Sequence, residues 1–377
     1  MRVGLLIPNF NGGGAERAMI SYANGLVKRN IDVFFFVGKN KGPLKELLDP
    51  SIEKVTLNKK RILLASFRLS KVLKAKQIDV CISTLKNANL CLLVATKLFR
   101  AKAKCVIREA SVPSKVNYQG RSLLVVKLAK YLFRYADACI AVSEYVAEDF
   151  ANFYGLDSST IFVIYNPAPV IGETKRPQHP FFTETVNSKL IVGIGRIVPV
   201  KNFSLLVEAF AEVRKSITSR LIILGQKNLQ PAELEKVQQK IQEFGLSDFV
   251  DLAGFVDNPE DYVSHSDVLV LSSNFEGFPN VVLLALSCAT PIVSTNCSGG
   301  LREIIDNGKY GKLTEVGESS EMAVGIIEQL ENPMPRKKDL LERAAFFSEE
   351  AAIDQLLNLL GSVTQGTITL STENQRS

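Results

Sequence analysis

The alternation of strand-like and helix-like segments is the feature that most constrains the fold of this chain. Short apolar runs alternate with amphipathic stretches almost throughout its 377 residues, a pattern typical of a parallel sheet covered by helices on both faces. Strands are predicted near 2–8, 31–37, 53–57, 79–83, 104–107, 137–142 and 161–164 in one series, and near 189–195, 220–225, 249–253, 267–272, 291–294 and 311–313 in another. Helices are predicted at 15–29, 61–75, 87–100, 121–135, 144–154, 336–347 and 349–360.

A segment rich in proline and turn residues separates the two series of strands. The chain is also too long for one ordinary core. We therefore predict an α/β protein with two tandem Rossmann-like domains that face an interdomain cleft. The predicted division is 1–170 for the N-terminal domain, 171–188 for a linker, 189–347 for the C-terminal domain, 348–364 for a C-terminal helix that can cross back to the first domain, and 365–377 for a frayed tail.

The charge is distributed unevenly between the two halves. Residues 1–170 contain 26 Lys and Arg against 12 Asp and Glu, whereas 171–377 contain 19 against 27. The basic half predicts an anionic partner, either a membrane surface or a nucleic acid. Basic amphipathic stretches at 59–76 and 115–134 suit anionic lipid, although each can simply pack its apolar side on the sheet. No nucleic-acid recognition motif is present, so nucleic acid is not expected as a partner.

No metal site is predicted. The six cysteines are scattered without a CxxC pair, and there is neither a DxD dyad nor a His-rich cluster. Free thiols are therefore expected, and no metal or other cofactor.

A glycine-rich turn follows the first predicted strand. Gly12, Gly13 and Gly14 allow a ligand to approach the backbone closely, although they are equally suited to a tight turn between strand and helix. The segment does not match GxGxxG, and the second strand ends without an acidic residue. A nicotinamide site is therefore not predicted.

Two cations and one acid follow strands of the second domain. Arg196 and Lys201 precede a helix, where fixed positive charge suits a diphosphate whose charge grows as a bond breaks; solvated surface side chains are the alternative. Glu276 follows the strand predicted at 267–272, with Pro279 near the start of the next helix. At the carboxyl end of a strand, such an acid can bind two hydroxyls of a sugar or cap the helix.

Together these motifs resemble glycosyltransferase family 4, which comprises retaining enzymes of the GT-B fold. The resemblance covers nearly the whole chain. It rests on Gly12–Arg17, Ala136–Glu144, Ile164–Pro167, Gly195–Asn202, Ala253–Phe255, Glu276–Asn280 and Thr290–Glu303.

The resemblance implies that Arg196 and Lys201 bind the donor diphosphate and that Glu276 contacts the donor sugar, which makes these three the expected catalytic residues. The other donor-binding residues that it implies are Gly12, Gly13, Gly14, Gly254, Phe255, Val256, Gly277, Phe278, Pro279, Asn280 and Leu284. Candidates for acceptor or donor contact are Glu16, Arg17, Arg108, Glu109 and Asn166.

Two positions depart from the family pattern. Leu284 occupies the place of a second glutamate that usually contacts the ribose, and a lost charged hydrogen bond costs about 1.5–3 kcal/mol, or roughly 10- to 150-fold in donor affinity. Arg108 and Glu109 occupy a strand end where many members have a histidine.

The expected function is transfer of a hexose or N-acetylhexosamine from a nucleotide diphosphate sugar, with a UDP-sugar favoured. The expected acceptor is a glycan or a polyprenyl-linked molecule in the biosynthesis of lipopolysaccharide or capsule. The expected location is the cytoplasm, peripheral on the inner face of the membrane, with the basic N-terminal domain against the anionic surface. The alternative is a non-catalytic partner subunit of the same fold, because Leu284 weakens donor binding.

Overall fold

The computed structural model describes residues 1–11, 13–59, 61–183, 188–227 and 229–367. The chain forms two compact units, one comprising Met1–Pro167 with the chain from Glu349 onward and the other Ala168–Ser348. Each unit is built on a parallel sheet with helices between the strands. The predicted pair of tandem α/β domains is therefore confirmed.

The first unit contains seven parallel strands in the order β3-β2-β1-β4-β5-β6-β7. Its strands are β1 (Arg2–Ile7), β2 (Asp32–Val37), β3 (Glu53–Thr56), β4 (Val80–Thr84), β5 (Lys104–Glu109), β6 (Ala138–Ala141) and β7 (Ile161–Val163). The order reverses between β1 and β4, and ligands of open α/β sheets bind at the carboxyl ends of strands beside such a point.

Within the described residues, five α-helices connect these strands. They are α1 (Gly14–Lys28), α2 (Ser66–Ala75), α3 (Lys86–Leu93), α4 (Arg121–Leu132) and α5 (Glu144–Tyr154). The helix predicted at 87–100 is shorter than expected, because a π-helical turn at Val94–Leu98 follows α3. The start of α5 follows the usual capping rule, since the hydroxyl of Ser143 accepts a hydrogen bond from the amide of Val146 at 3.1 Å.

The second unit contains six parallel strands in the order β10-β9-β8-β11-β12-β13, which reverses between β8 and β11. Its strands are β8 (Lys189–Ile194), β9 (Ser219–Leu224), β10 (Val250–Gly254), β11 (Val268–Leu271), β12 (Ile292–Thr295) and β13 (Lys312–Thr314). Its helices are α6 (Pro180–Thr183), α7 (Phe203–Val213), α8 (Pro231–Glu243), α9 (Pro259–Ser264), α10 (Asn280–Ser287), α11 (Leu301–Ile304), α12 (Ser319–Glu331) and α13 (Lys337–Phe346).

The segment predicted as the linker, 171–188, packs on the second unit where the structure describes it. Nε2 of His179 lies 2.9 Å from Oδ2 of Asp251, and the amide of Lys175 donates to Oδ1 of Asp261 at 2.8 Å. Residues 184–187 of this segment lie outside the described residues.

The last helix, α14 (Glu349–Gln365), belongs to the first unit and packs against α1. The two helices share a buried apolar core to which Ile353 of α14 contributes. Gly25 of α1 lies so close to Ile353 that a Cβ at Gly25 would be 2.5 Å from Cγ1 of that isoleucine. An ion pair of 2.7 Å between Lys28 and Glu349 adds to this contact. Most of the predicted tail, 365–377, lies outside the described residues.

All six cysteines are free thiols, and five are buried. Burial raises the pKa of Cys139 to about 12, so this thiol stays protonated at neutral pH. Within the described ranges, no group of three or more His, Cys, Asp or Glu side chains is placed to hold a metal ion. In the same ranges, no helix has both the length and the apolar character needed to cross a membrane.

Candidate functional site

The carboxyl ends of β8 and β11 bring Lys201 and Glu276 into contact. The two strands are neighbours at the reversal point of the second sheet. Nζ of Lys201 lies 2.5 Å from Oε1 of Glu276, and only 15% and 14% of the two side chains are exposed. The hydroxyl of Ser273 donates to the same carboxylate oxygen at 2.6 Å. Both of these contacts are made by Oε1, and among the described residues Oε2 of Glu276 has no hydrogen-bond partner.

Glycine makes room for the lysine. A Cβ at Gly195 would lie 3.0 Å from Cε of Lys201, so the lysine side chain runs across the Gly195 backbone. The neighbouring Arg196 is exposed, and its side chain forms no hydrogen bond or ion pair with a described residue. Of these two cations, Lys201 is therefore paired with an acid, whereas Arg196 has no acidic partner among the described residues.

The loop that carries Lys201 is fixed to the end of β11. The hydroxyl of Ser272 donates to the carbonyl of Lys201 at 2.8 Å, and the amide of Asn274 donates to the carbonyl of Val200 at the same distance. These bonds hold the position of the lysine relative to Glu276.

The loop that carries Glu276 is fixed to the segment after β12. The Glu276 amide donates to the carbonyl of Ser298 at 2.9 Å, and the Gly300 amide donates to the carbonyl of Gly277 at 2.8 Å. Between these bonds, Gly299 has a φ of +125° and lies so close to the Glu276 carbonyl that a Cβ would fall 1.5 Å from the oxygen. Pro279 occupies the cap position of α10, so Glu276 does not cap that helix.

The other predicted donor-binding residues of the second unit lie at three places. Gly254 ends β10 with a φ of +88° and is followed by an exposed Phe255 and a half-buried Val256. Gly277, Phe278, Pro279 and Asn280 continue from Glu276 into α10. Leu284 lies within α10 with only 8% of its surface exposed.

The glycine-rich turn of the first unit leads into α1. Gly12 lies outside the described residues. Gly13 is the cap residue of α1, and Gly14 begins the helix. The buried carboxylate of Glu16 lies against Gly13, where a Cβ would fall 2.2 Å from Oε2. Arg17 is exposed.

Arg108 is fully buried at the carboxyl end of β5. Nη1 donates to the hydroxyl of Thr84 at 3.2 Å, Nη2 donates to the side-chain carbonyl of Asn166, and the guanidinium lies 5.7 Å from the ring centroid of Tyr22. Burial raises the pKa of Tyr22, and the Arg108 charge opposes that rise. Arg108 thus connects the ends of β4 and β5 to the segment after β7, and its burial separates it from solvent.

Glu109 lies at the same strand end and accepts three hydrogen bonds through Oε1. The donors are the amides of Ala110 and Ser111, both at 3.0 Å, and the Ser111 hydroxyl at 2.7 Å. Burial raises the pKa of Glu109, while these bonds and the charge of Lys86 oppose the rise.

Sequence reasoning missed Lys86, which begins α3 directly after β4. Its Nζ lies 3.6 Å from the ring centroid of Tyr118, and burial lowers its pKa to about 8, against the opposing charge of Glu109. The preceding Leu85 has φ 72° and ψ 132°, a strained conformation of the kind found at functional sites. The sequence offered one indication that Lys86 could be functional, which is its position shortly after the end of a predicted strand.

Two family models match this chain. The model described as Glycosyltransferase Family 4 matches residues 12–170, and the model described as Glycosyl transferases group 1 matches residues 174–346. The chain belongs to glycosyltransferase family 4. The predicted resemblance is therefore confirmed, and the protein is a glycosyltransferase enzyme.

Curated relatives match this chain over most of its length. A Campylobacter jejuni enzyme named N-acetylgalactosamine-N,N'-diacetylbacillosaminyl-diphospho-undecaprenol 4-alpha-N-acetylgalactosaminyltransferase is 26% identical over 374 residues, which is 96% of this chain and 100% of that enzyme. The amylovoran biosynthesis glycosyltransferase AmsD of Erwinia amylovora is 23% identical over 80% of this chain and 82% of its own. Both relatives are named as glycosyltransferases, and the name of the Erwinia protein includes amylovoran biosynthesis.

Solved structures share the fold. Anabaena Alr3699/HepE, solved in complex with UDP-glucose, matches with a TM-score of 0.82 at 20% identity and covers 96% of this chain and 100% of its own. The sucrose-phosphate synthase of Thermosynechococcus elongatus matches with a TM-score of 0.80 at 17% identity, over 97% and 99%. The predicted GT-B fold is confirmed.

Proposed function

We propose that this glycosyltransferase moves a hexose or N-acetylhexosamine from a UDP-sugar to a glycan or polyprenyl-linked acceptor in surface-polysaccharide biosynthesis. In this proposal the transfer retains the anomeric configuration and needs neither a metal ion nor another cofactor. The contact between Lys201 and Glu276 beside the exposed Arg196 is the observation that carries it. The name of the Campylobacter relative, which includes a diphospho-undecaprenol acceptor, supports a lipid-linked acceptor, and the UDP-glucose complex of the Anabaena protein supports the donor class.

The chemistry of the site suits a diphosphate that leaves from a sugar. As the bond from the anomeric carbon to the diphosphate breaks, negative charge grows on the diphosphate. The acceptor oxygen bonds to that carbon, and the proton of its hydroxyl passes to the departing diphosphate. Arg196 and Lys201 stabilise this charge, while Oε2 of Glu276 accepts hydrogen bonds from the sugar hydroxyls. We assign the nucleobase to the turn at Gly254, Phe255 and Val256.

We assign acceptor recognition to the first unit. Glu109 ends β5 and Lys86 follows β4, at the carboxyl edge where ligands of such sheets bind. A lysine suits the diphosphate of a lipid-linked acceptor, and a carboxylate suits its sugar hydroxyls. Glu16, Arg17 and Asn166 lie at the same edge, after β1 and β7, and stay candidates for acceptor or donor contact.

Release of UDP tests this function. The protein is incubated with individual UDP-sugars and a polyprenyl-diphosphate-linked glycan, and UDP is measured over time. Arg196→Ala and Lys201→Ala are each expected to lower turnover by roughly 10²- to 10³-fold. Lys215→Ala is the matched control, because Lys215 is an exposed cation of the same unit that pairs only with Glu212 among the described residues. Unchanged turnover in both site variants would contradict the assignment.

The stereochemistry and the metal requirement are tested on the same reaction. Nuclear magnetic resonance of the product is expected to show the anomeric configuration of the donor. Addition of EDTA is expected to leave the rate unchanged, because protein cations neutralise the diphosphate in this mechanism.

A non-catalytic partner subunit is the second candidate, and Leu284 is the observation that favours it. That candidate predicts no heat of UDP binding at millimolar nucleotide in a calorimeter and no turnover with any donor. A catalytic protein binds UDP and releases it from at least one UDP-sugar.

We also propose that the protein works in the cytoplasm, peripheral on the inner face of the membrane, without a nucleic-acid partner. The excess of Lys and Arg in residues 1–170 supports this location.

A further inference from the structure

Helix α4 and the turn that follows it have two apolar faces on opposite sides. Val126 and Ala129 are buried in the unit. The opposite face carries four large exposed side chains, two leucines and two tyrosines, which we call the outer stripe. They are Leu124, Leu128, Tyr131 and Tyr135, with exposed fractions of 67%, 38%, 57% and 45%.

The spacing of the outer stripe places its members on one line. Successive members are four, three and four residues apart, so on a regular helix they fall within an arc of about 60° and extend over about 17 Å. The rings of Tyr131 and Tyr135 are 5.9 Å apart. Water surrounds this stripe in the isolated chain, which is unfavourable for four large side chains on one face.

Cations flank the outer stripe. The segment 121–135 contains four Lys or Arg residues and no acidic residue. Arg121, Lys127, Lys130 and Arg134 are all exposed, and the guanidinium of Arg134 lies 5.5 Å from the ring centroid of Tyr131. The surface is therefore apolar along its centre and positive along its edges.

Neighbouring helices of the same layer add further exposed apolar groups. Helices α2, α3 and α4 contribute to one core against the first sheet. Phe67 of α2 is more than half exposed, as are Leu64 before α2 and Leu98 after α3. Nζ of Lys71 lies 4.5 Å from the Phe67 ring centroid, which repeats the combination of an exposed apolar group with a nearby cation.

We propose that the outer stripe docks on an anionic lipid bilayer, with its leucines in the acyl boundary and its tyrosines and cations at the headgroups. The inference deepens the proposed function, on which it rests for the lipid-linked acceptor, by assigning the membrane contact to one helix face. A second copy of the chain is the wrong occupant, because two such faces would bring like charges together. The exposed groups stand outward on separate helices, which fits a broad lipid surface.

Vesicle co-sedimentation of the full chain tests the docking surface. The vesicles contain phosphatidylcholine with or without phosphatidylglycerol. Leu124→Asn/Leu128→Asn and Lys127→Gln/Arg134→Gln are each expected to lower binding to the anionic vesicles about tenfold or more. The control is Val324→Asn/Leu341→Asn, because these two apolar residues are similarly exposed in the second unit; its binding is expected to match that of the parent protein.

Three results would overturn the docking proposal. One is equal binding by the stripe variants and the control, with circular dichroism showing that all are folded. Another is equal binding of the parent protein to vesicles with and without phosphatidylglycerol. The third is a concentration-dependent dimer that only the stripe variants lose, since that identifies a second copy as the occupant.

Turnover with a short water-soluble acceptor separates this proposal from the proposed function. The stripe variants are expected to keep the parent rate in solution and lose only vesicle binding. Absence of turnover in every form, including the parent protein, would refute the proposed function, and the vesicle measurement would still decide the docking surface by itself.

Discussion

Replacement of Gly299 by alanine tests whether the backbone contact between the Glu276 loop and the segment after β12 positions the acid. The Cβ of an alanine at this position would lie 1.5 Å from the carbonyl oxygen of Glu276, whereas real Cβ contacts under 3.0 Å are essentially never observed. The carbonyl or residue 299 must therefore move by about 1.5 Å. The φ of +125° adds strain, because L side chains rarely adopt it.

The structure allows an estimate of both effects of Gly299→Ala. Backbone strain costs about 1–3 kcal/mol, and weakening of the two backbone hydrogen bonds that flank Gly299 costs about 1 kcal/mol more. We expect the free energy of unfolding to fall by about 2–4 kcal/mol. Because Glu276 moves with its carbonyl, and a misplacement of about 1 Å costs roughly 10²-fold in rate, kcat/KM for the UDP-sugar is expected to fall at least that much.

The assay combines UDP release with thermal unfolding measured by circular dichroism. Gly317→Ala is the matched control, because Gly317 also has a positive φ, +91°, but its Cβ would meet nothing within 4 Å. Gly317→Ala therefore carries the conformational cost of a positive φ, about 1–3 kcal/mol, without the steric displacement. Equal turnover in Gly299→Ala and Gly317→Ala would refute the idea that close packing at Gly299 positions Glu276.

Three further variants address the ribose position, the first-unit lysine and the ion pair. Leu284→Glu is expected to lower the free energy of unfolding by several kcal/mol, because it buries a charge in α10. The control Leu284→Met is expected to change that free energy by less than about 1.5 kcal/mol. A stable Leu284→Glu protein with a lower donor KM would contradict this expectation. Burial lowers the pKa of Lys86 to about 8, so its ammonium is lost above that pH. We therefore expect kcat/KM for the acceptor to fall about tenfold per pH unit above pH 8 in the parent protein and to stay level in Lys86→Arg. A pH profile shared by both forms would contradict the acceptor role. In calorimetry, Glu276→Gln is expected to bind UDP more tightly than the parent protein, because no carboxylate then offsets the Lys201 charge that attracts the diphosphate. In the UDP-release assay, the same variant is expected to turn over roughly 10²-fold more slowly.

The fold was predictable because buried parallel strands are short apolar runs bounded by turn residues. The strand predicted at 267–272 forms at Val268–Leu271, and the one predicted at 189–195 forms at Lys189–Ile194. Since these strands are neighbours, their carboxyl ends placed Lys201 and Glu276 near one edge of the sheet. Their direct contact and the Ser273 hydrogen bond could not be predicted, because rotamers and loop paths are set by packing between distant segments.

Side-chain burial at the strand ends was also beyond the sequence. Consecutive residues of a strand point to opposite faces of the sheet, so Arg108 and Glu109, although adjacent, have different surroundings. Arg108 reaches Thr84 and Asn166, whereas Glu109 meets the amides that follow it. Lys86 was missed for a related reason, because its position after β4 gave no sign that it would face an aromatic ring beside a buried acid.

The ion pair of Lys201 and Glu276 affects how the proposed site distinguishes the transition state from the bound donor. An ammonium has three hydrogens, and a contact with Glu276 uses one of them, so Lys201 can bind the diphosphate while the pair persists. As the bond to the sugar breaks, the diphosphate gains negative charge and attracts the lysine more strongly than the bound donor does. Ser273 continues to donate to Oε1 of Glu276 if the lysine turns away, so the acid keeps a partner. The attraction between Lys201 and the diphosphate therefore increases from the bound donor to the transition state, and only such a difference accelerates the chemical step.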